Sequence, residues 1–131
     1  MKVRLRTPFG DIIIELKSEW SPRTVKAIWE FLPMKYSVPV QIWGKEFFFY
    51  LPDTEELINV GYENARIRLR KYDVAFWPRD PAICVFYGRT PVSRGEEPEA
   101  AEKVNVIGRV VEGFSILERL TDGDLVIMEK M

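Results

Sequence analysis

The sequence predicts a mainly β domain of barrel or sandwich type. Three observations carry this: many short apolar runs with strand character, turn residues recurring between them, and only two stretches with helical periodicity. The two helical stretches lie between strands that read as antiparallel. They are therefore expected to cap a barrel rather than to cross over a parallel sheet.

The elements follow in order. Val3 to Arg6 alternates apolar and cationic residues, as a half-buried strand does. Thr7-Pro8-Phe9-Gly10-Asp11 reads as a turn, and Ile12 to Leu16 as the second arm of a hairpin. Ser21-Pro22 reads as a helix start. Ser21 is expected to accept a bond from a free N–H of the first turn, and Pro22 suits the position whose N–H has no partner. Val25, Ile28, Trp29 and Leu32 give that helix one apolar face, a stripe expected to pack in the core, and Pro33 stops it.

Val38 to Trp43 and Glu46 to Leu51 flank Gly44-Lys45, a two-residue hairpin loop. Phe47 to Tyr50 is apolar on both faces and demands cover on each. Ala65 to Arg70 alternates Arg66, Arg68 and Arg70 with Ile67 and Leu69. Val74 to Trp77 and Ala82 to Tyr87 are strands split by Pro78-Arg79-Asp80-Pro81. Gly88 to Lys103 reads as a long polar surface loop, after which a strand runs from Val104 to Val111. Phe114 to Leu120 reads as a short helix, Thr121-Asp122-Gly123-Asp124 as a turn, and Leu125 to Glu129 as a last strand. The tally is roughly eight strands and two helices over residues 1–131, taken as one domain.

Composition removes several function classes. The hydrophobic fraction of 47% and charged fraction of 30% are those of a globular protein. A net charge of −1, from 19 Lys+Arg against 20 Asp+Glu, argues against a nucleic-acid or acidic-membrane binder. Histidine is absent, which excludes Ser-His-Asp and Cys-His catalysis and His-ligated zinc. The lone Cys84 sits in an apolar run and reads as a buried small hydrophobe. There is no signal-peptide-like run and no apolar stretch long enough to span a bilayer, so a cytoplasmic location is expected. No cofactor or metal motif is present. Asp122 and Asp124 offer too few oxygens for Ca²⁺ and read as turn residues, and Glu96, Glu97, Glu99 and Glu102 read as a solvated loop. Arg66, Arg68 and Arg70 read as an exposed strand face, with an anion-binding stripe as the sharper alternative.

Two blocks resemble a known family. Thr7-Pro8-Phe9-Gly10-Asp11-Ile12-Ile13-Ile14-Glu15-Leu16, followed by Ser21-Pro22-Arg23-Thr24-Val25, resembles the opening of cyclophilin-type prolyl isomerases. Val106-Ile107-Gly108-Arg109-Val110-Val111-Glu112-Gly113 resembles their late Gly-x-Val-x-x-Gly strand. The middle is more similar to short prokaryotic cyclophilin-like proteins of unknown function, through Asp73 to Pro78 and Ala82 to Pro91. The resemblance implies a closed eight-stranded antiparallel barrel capped by two short helices.

It implies little catalysis. Prolyl isomerisation crosses a barrier of roughly 18–20 kcal/mol set by amide resonance. A guanidinium aimed at the prolyl nitrogen lowers that barrier in the transition state. The family carries an Arg on the strand after the first helix, followed by Phe-Met-x-Gln-Gly-Gly-Asp; here the segment is Val38-Pro39-Val40-Gln41-Ile42-Trp43-Gly44-Lys45-Glu46. The expectation is a peptide- or small-molecule-binding domain with absent or very weak isomerase activity. The weak catalytic candidates are Gln41, Arg79 and Arg89. The ligand-binding candidates are Trp43, Trp77, Phe86, Arg79 and Arg89. The alternatives are an active isomerase with an atypical site and a homodimer formed through Phe47 to Tyr50.

Overall fold

The computed structural model describes residues 1–131. β1 (Lys2–Thr7) and β2 (Gly10–Leu16) pair across a two-residue turn, in which the Thr7 hydroxyl accepts from the Phe9 N–H at 3.1 Å and donates to the Gly10 carbonyl at 2.7 Å. Val3 and Leu5 are wholly buried, while Arg4 and Arg6 point outward to Glu129. The alternation read in this strand is thus one core face and one ion-paired face.

α1 (Pro22–Phe31) begins where expected but is capped differently. Ser21 makes no capping bond. Its hydroxyl is buried and directed at the Val106 carbonyl at 2.7 Å, and the Glu63 carboxylate accepts from the Thr24 N–H at 2.6 Å instead. Tertiary packing has turned the serine inward, and a distant acid supplies the cap. Fully buried Asn105 secures the same junction. Its amide donates to Thr24 Oγ1 and the Gly61 carbonyl, and its Oδ1 accepts from the Glu63 N–H.

The run Val38 to Trp43 is two short strands, β3 (Val38–Pro39) and β4 (Gln41–Ile42), followed by β5 (Glu46–Tyr50). They split at Val40, whose N–H donates to the Asp124 carbonyl and whose carbonyl accepts from the Gly123 N–H, both at 2.9 Å. Trp43 and Glu46 exchange backbone bonds around the expected Gly44-Lys45 loop. A short helix, α2 (Glu55–Ile58), follows, with Thr54 as N-cap; at four residues it leaves no periodic signal in the sequence.

β6 (Ala65–Arg68), β7 (Asp73–Trp77) and β8 (Ala82–Phe86) precede the longest strand, β9 (Glu99–Glu112). β9 begins five residues before the expected Val104, inside the supposed polar loop. Its start is organised by buried polar groups: the Thr90 hydroxyl donates to the Glu99 carbonyl, and the Ser93 hydroxyl accepts from the Thr90 and Glu99 N–H groups. α3 (Phe114–Leu117) and β10 (Leu125–Lys130) complete the chain. No helix is long and apolar enough to cross a membrane.

The pairings that form the sheet are antiparallel, and its order is β3-β10-β1-β2-β9-β7-β8-β5-β4, with β6 added on β9. There are ten strands and three helices, against roughly eight and two expected. The expected closed barrel is also corrected: the hydrogen-bonded path is open, with ends at β3 and β4. Those ends are contiguous in the chain through Val40, where the backbone leaves β10 and passes to β5.

β7 and β8 are apolar on both faces. Val74, Phe76, Ile83 and Val85 enter a core of 26 buried residues, whereas Ala75, Cys84 and Phe86 enter a second cluster of 7 on the opposite face. β5 divides likewise, with Phe47 and Phe49 in the main core and Phe48 against the second cluster. The cover demanded by Phe47 to Tyr50 therefore comes from the main core on one side and the first half of β9 on the other.

Candidate functional site: a cavity on the outer face of β5, β7 and β8

Strand geometry assembles the site. Alternate residues of a strand share a face, and the register sets Phe48 of β5 opposite Cys84 of β8, and Cys84 opposite Ala75 of β7. Glu46 lies two residues before Phe48, and so on the same face. The first half of β9 curls over this face and leaves a cavity of about 310 Å³. Its walls are Trp43, Glu46, Phe48, Trp77, Cys84, Ala100, Ala101, Glu102 and Val104. A second hollow, of about 280 Å³ between α1 and α2, is lined by Ala27, Glu30, Phe31, Thr54 and Glu56.

Two polar groups of the residues that form the larger cavity's wall stand out. Glu46 is only 6% exposed and no cation faces it. Burial pushes its carboxyl up to about 8, against a smaller opposing effect of a hydrogen bond from the Cys84 thiol. The thiol in turn is raised well above its ordinary value by burial and by the neighbouring carboxyl, so it stays protonated and is not a nucleophile. The second is the indole N–H of Trp77, which is buried behind that wall without a hydrogen-bond partner. Glu102, at the rim, is already taken by a two-point pair with Arg79, at 3.1 and 2.9 Å.

The site residues expected from sequence are dispersed. Trp43 and Trp77 line the cavity. Phe86 is wholly buried in the second cluster and does not line it. Arg79 reaches the rim only through Glu102. Arg89 is exposed, with its guanidinium on the Ser93 carbonyl at 3.3 Å. Gln41 is exposed on β4, outside the cavity. Phe47 and Phe49 are fully buried, which leaves Tyr50 as the exposed apolar residue of that run. Arg66, Arg68 and Arg70 are exposed. Asp122 accepts from the Ile42 N–H and Asp124 from the Thr121 N–H, both serving the turn.

Glu46 escaped the sequence reading, as did the contribution of Ala100 to Val104. A signal for Glu46 existed: it heads a run that needs cover on both faces, so alternation places it in a covered row with Phe48.

A mainly β fold, one antiparallel sheet with a few short helices, is what a cyclophilin-like protein has. The chain belongs to the cyclophilin-like family, whose profile matches residues 1–129. It is similar to a hypothetical protein of Archaeoglobus fulgidus, known from a solution structure, at 34% identity over 100% of this chain and 95% of that one, with a TM-score of 0.80. McbB, solved in complex with tryptophan, matches at 14% identity and a TM-score of 0.72, over 98% of this chain but 44% of its own. A cyclophilin-type peptidyl-prolyl cis-trans isomerase of Cryptosporidium parvum, solved in the presence of the dipeptide Ala-Pro, matches at 16% identity and a TM-score of 0.65, over 100% of this chain and 99% of its own. At those identities the last two likenesses speak to the fold alone. No curated protein matches the chain.

Proposed function

We propose that this protein is a small-molecule-binding member of its family, with absent or very weak prolyl isomerase activity, and that its ligand occupies the cavity over β5, β7 and β8. The observation that carries the reading is the cavity itself: about 310 Å³, with seven of nine lining residues apolar. Pockets for small ligands are typically about 300–1,000 Å³ and mostly apolar, with a few placed polar groups. Glu46 is such a group. McbB, 44% of whose length shares this fold, has been solved with tryptophan, and a cyclophilin-type isomerase in the presence of Ala-Pro.

Against isomerase catalysis stands the disposition of the candidate donors. Arg79 is engaged by Glu102, Arg89 by the Ser93 carbonyl, and Gln41 lies outside the cavity. A donor already bound to a carboxylate must give up that bond before it can stabilise a twisted amide.

Intrinsic fluorescence reads the cavity directly, because Trp43 and Trp77 are in its wall. Small aromatic compounds should change the emission, and filling the space through Ala101→Phe should abolish the change. Exchange spectroscopy on a prolyl peptide should show no acceleration beyond background. Strong catalysis lost on Arg79→Ala, Arg89→Ala or Gln41→Ala would overturn the reading in favour of an atypical isomerase.

A further inference from the structure

We infer that the cavity selects ligands carrying a protonated amine, with Glu46 as the group that receives the ammonium and the aromatic walls as the seat of the apolar body. This deepens the small-molecule reading and rests on it.

The argument is one of charge and chemistry. No Lys or Arg lines the cavity, and the two ionisable acids there differ in state. Glu102 is neutralised by Arg79, whereas Glu46 is nine-tenths buried and meets no cation. A carboxyl in an apolar wall is costly for a fold when no cation compensates it, and its one partner here, the Cys84 thiol, is uncharged. An arriving ammonium would supply the missing charge and a charge-assisted hydrogen bond, both strengthened by the surrounding apolar wall. Trp43, Phe48 and Trp77 would add the attraction of ring faces for a cation. An anionic ligand meets only acids, and a neutral one forfeits the ion pair. At about 30 Å³ for each water-sized group, the space holds roughly ten non-hydrogen atoms, the size of a phenylethylamine.

The proton balance gives the inference its signature. In the empty cavity at neutral pH the carboxyl holds its proton, since burial places its midpoint near 8. Ion pairing with R–NH₃⁺ requires the carboxylate, so the Glu46 proton leaves to solvent as the ammonium enters. The other groups facing Glu46 do not obscure this. Cys84 and Tyr87 are both raised above their ordinary values, Glu102 is paired with Arg79, and the adjacent Lys45 turns to Glu118.

The test is calorimetry with 2-phenylethylamine, 2-phenylethanol and phenylacetate, run in buffers of differing ionisation enthalpy. The amine should bind at least tenfold more tightly than the alcohol, and phenylacetate most weakly. At pH 7 the amine should release roughly nine-tenths of a proton per site, and its affinity should rise about tenfold from pH 6 to pH 7. Glu46→Gln should bring amine and alcohol to equal affinity and abolish the release. Equal binding of amine and alcohol to the unaltered protein, or binding without proton release, overturns the inference and leaves the small-molecule reading standing. Failure of all three probes to bind overturns both. The proton count on the unaltered protein is decisive even if the variant does not fold.

Discussion

The seam between β2 and β9 and the cavity face of β5 and β8 are built from the same antiparallel pairing, yet they constrain the sequence in different ways. At the seam, backbone meets backbone. A Cβ on Gly108 would lie 2.1 Å from the Glu15 carbonyl oxygen, and one on Gly113, already left-handed at φ +87°, would lie 2.5 Å from the Asp11 carbonyl oxygen. Ile13 pairs with Glu112 and Ile14 with Val110, so a bulge at Val111 bends the ribbon between the two glycines. At the cavity face the strands keep ordinary spacing, and side chains alone decide what the surface does. The seam tolerates almost no change and says nothing of function; the cavity face tolerates many residues and holds the chemistry.

The comparison breaks most visibly at Gly108. Gly108→Ala should cost more than about 5 kcal/mol, enough to unfold a domain of ordinary stability, because backbone rather than a pliable side chain must move. Urea denaturation, or loss of soluble protein, reads this. A near-normal midpoint would mean that the seam is looser than described.

On the cavity face the largest effect comes from Glu46 and depends on pH. Its folded midpoint, about 8, lies above the ordinary 4.5. Below 4.5 the group is protonated whether folded or unfolded, and its contribution is fully present. Between 4.5 and 8 only the folded state holds the proton, so stability declines as pH rises, by about 1.4 kcal/mol per unit. The total is of the order of 5 kcal/mol as an upper bound, complete above pH 8. Glu46→Gln removes this slope and should therefore be the more stable protein at pH 9, with the difference vanishing near pH 4. Parallel denaturation curves for the two proteins across that range would refute it.

Smaller effects sharpen the contrast. Asn105→Ala strips three hydrogen bonds from the buried junction of α1, β9 and the segment before β6, and should cost about 2–4 kcal/mol in thermal or urea unfolding at any pH. Arg79→Ala removes an exposed ion pair at the cavity rim and should leave stability unchanged within measurement.

These contrasts explain what could be read beforehand. The hairpin at Thr7 to Asp11, the Pro22 helix start and the Gly44-Lys45 loop depend on local backbone demands, which the residue types announce. The two blocks that resemble the cyclophilins are the two strands that mate at the seam, so Gly108 and Gly113 carry a recognisable spacing. The cavity carries none. Glu46 looks like the polar end of a strand, and only the register that sets Phe48 against Cys84 shows that its row is covered. Glu99 to Lys103 looks like solvated loop, because the groups that bury Glu99, namely Thr90, Ser93 and Arg94, satisfy its polar atoms out of sight of any periodicity. Ser21 has the right type for a cap, but a hydroxyl that finds the Val106 carbonyl in the core is not free to serve the helix.

The claim on which the amine-binding account rests is that the Glu46 carboxyl sits without a cation in an apolar cavity and keeps its proton at neutral pH. A carbon-13 titration of the glutamate side-chain carboxyls, with Glu46→Gln to assign the resonance, measures this directly. The account expects a midpoint near 8 that falls when an amine ligand is added. A midpoint near the ordinary 4.5, unmoved by the amine, would contradict it.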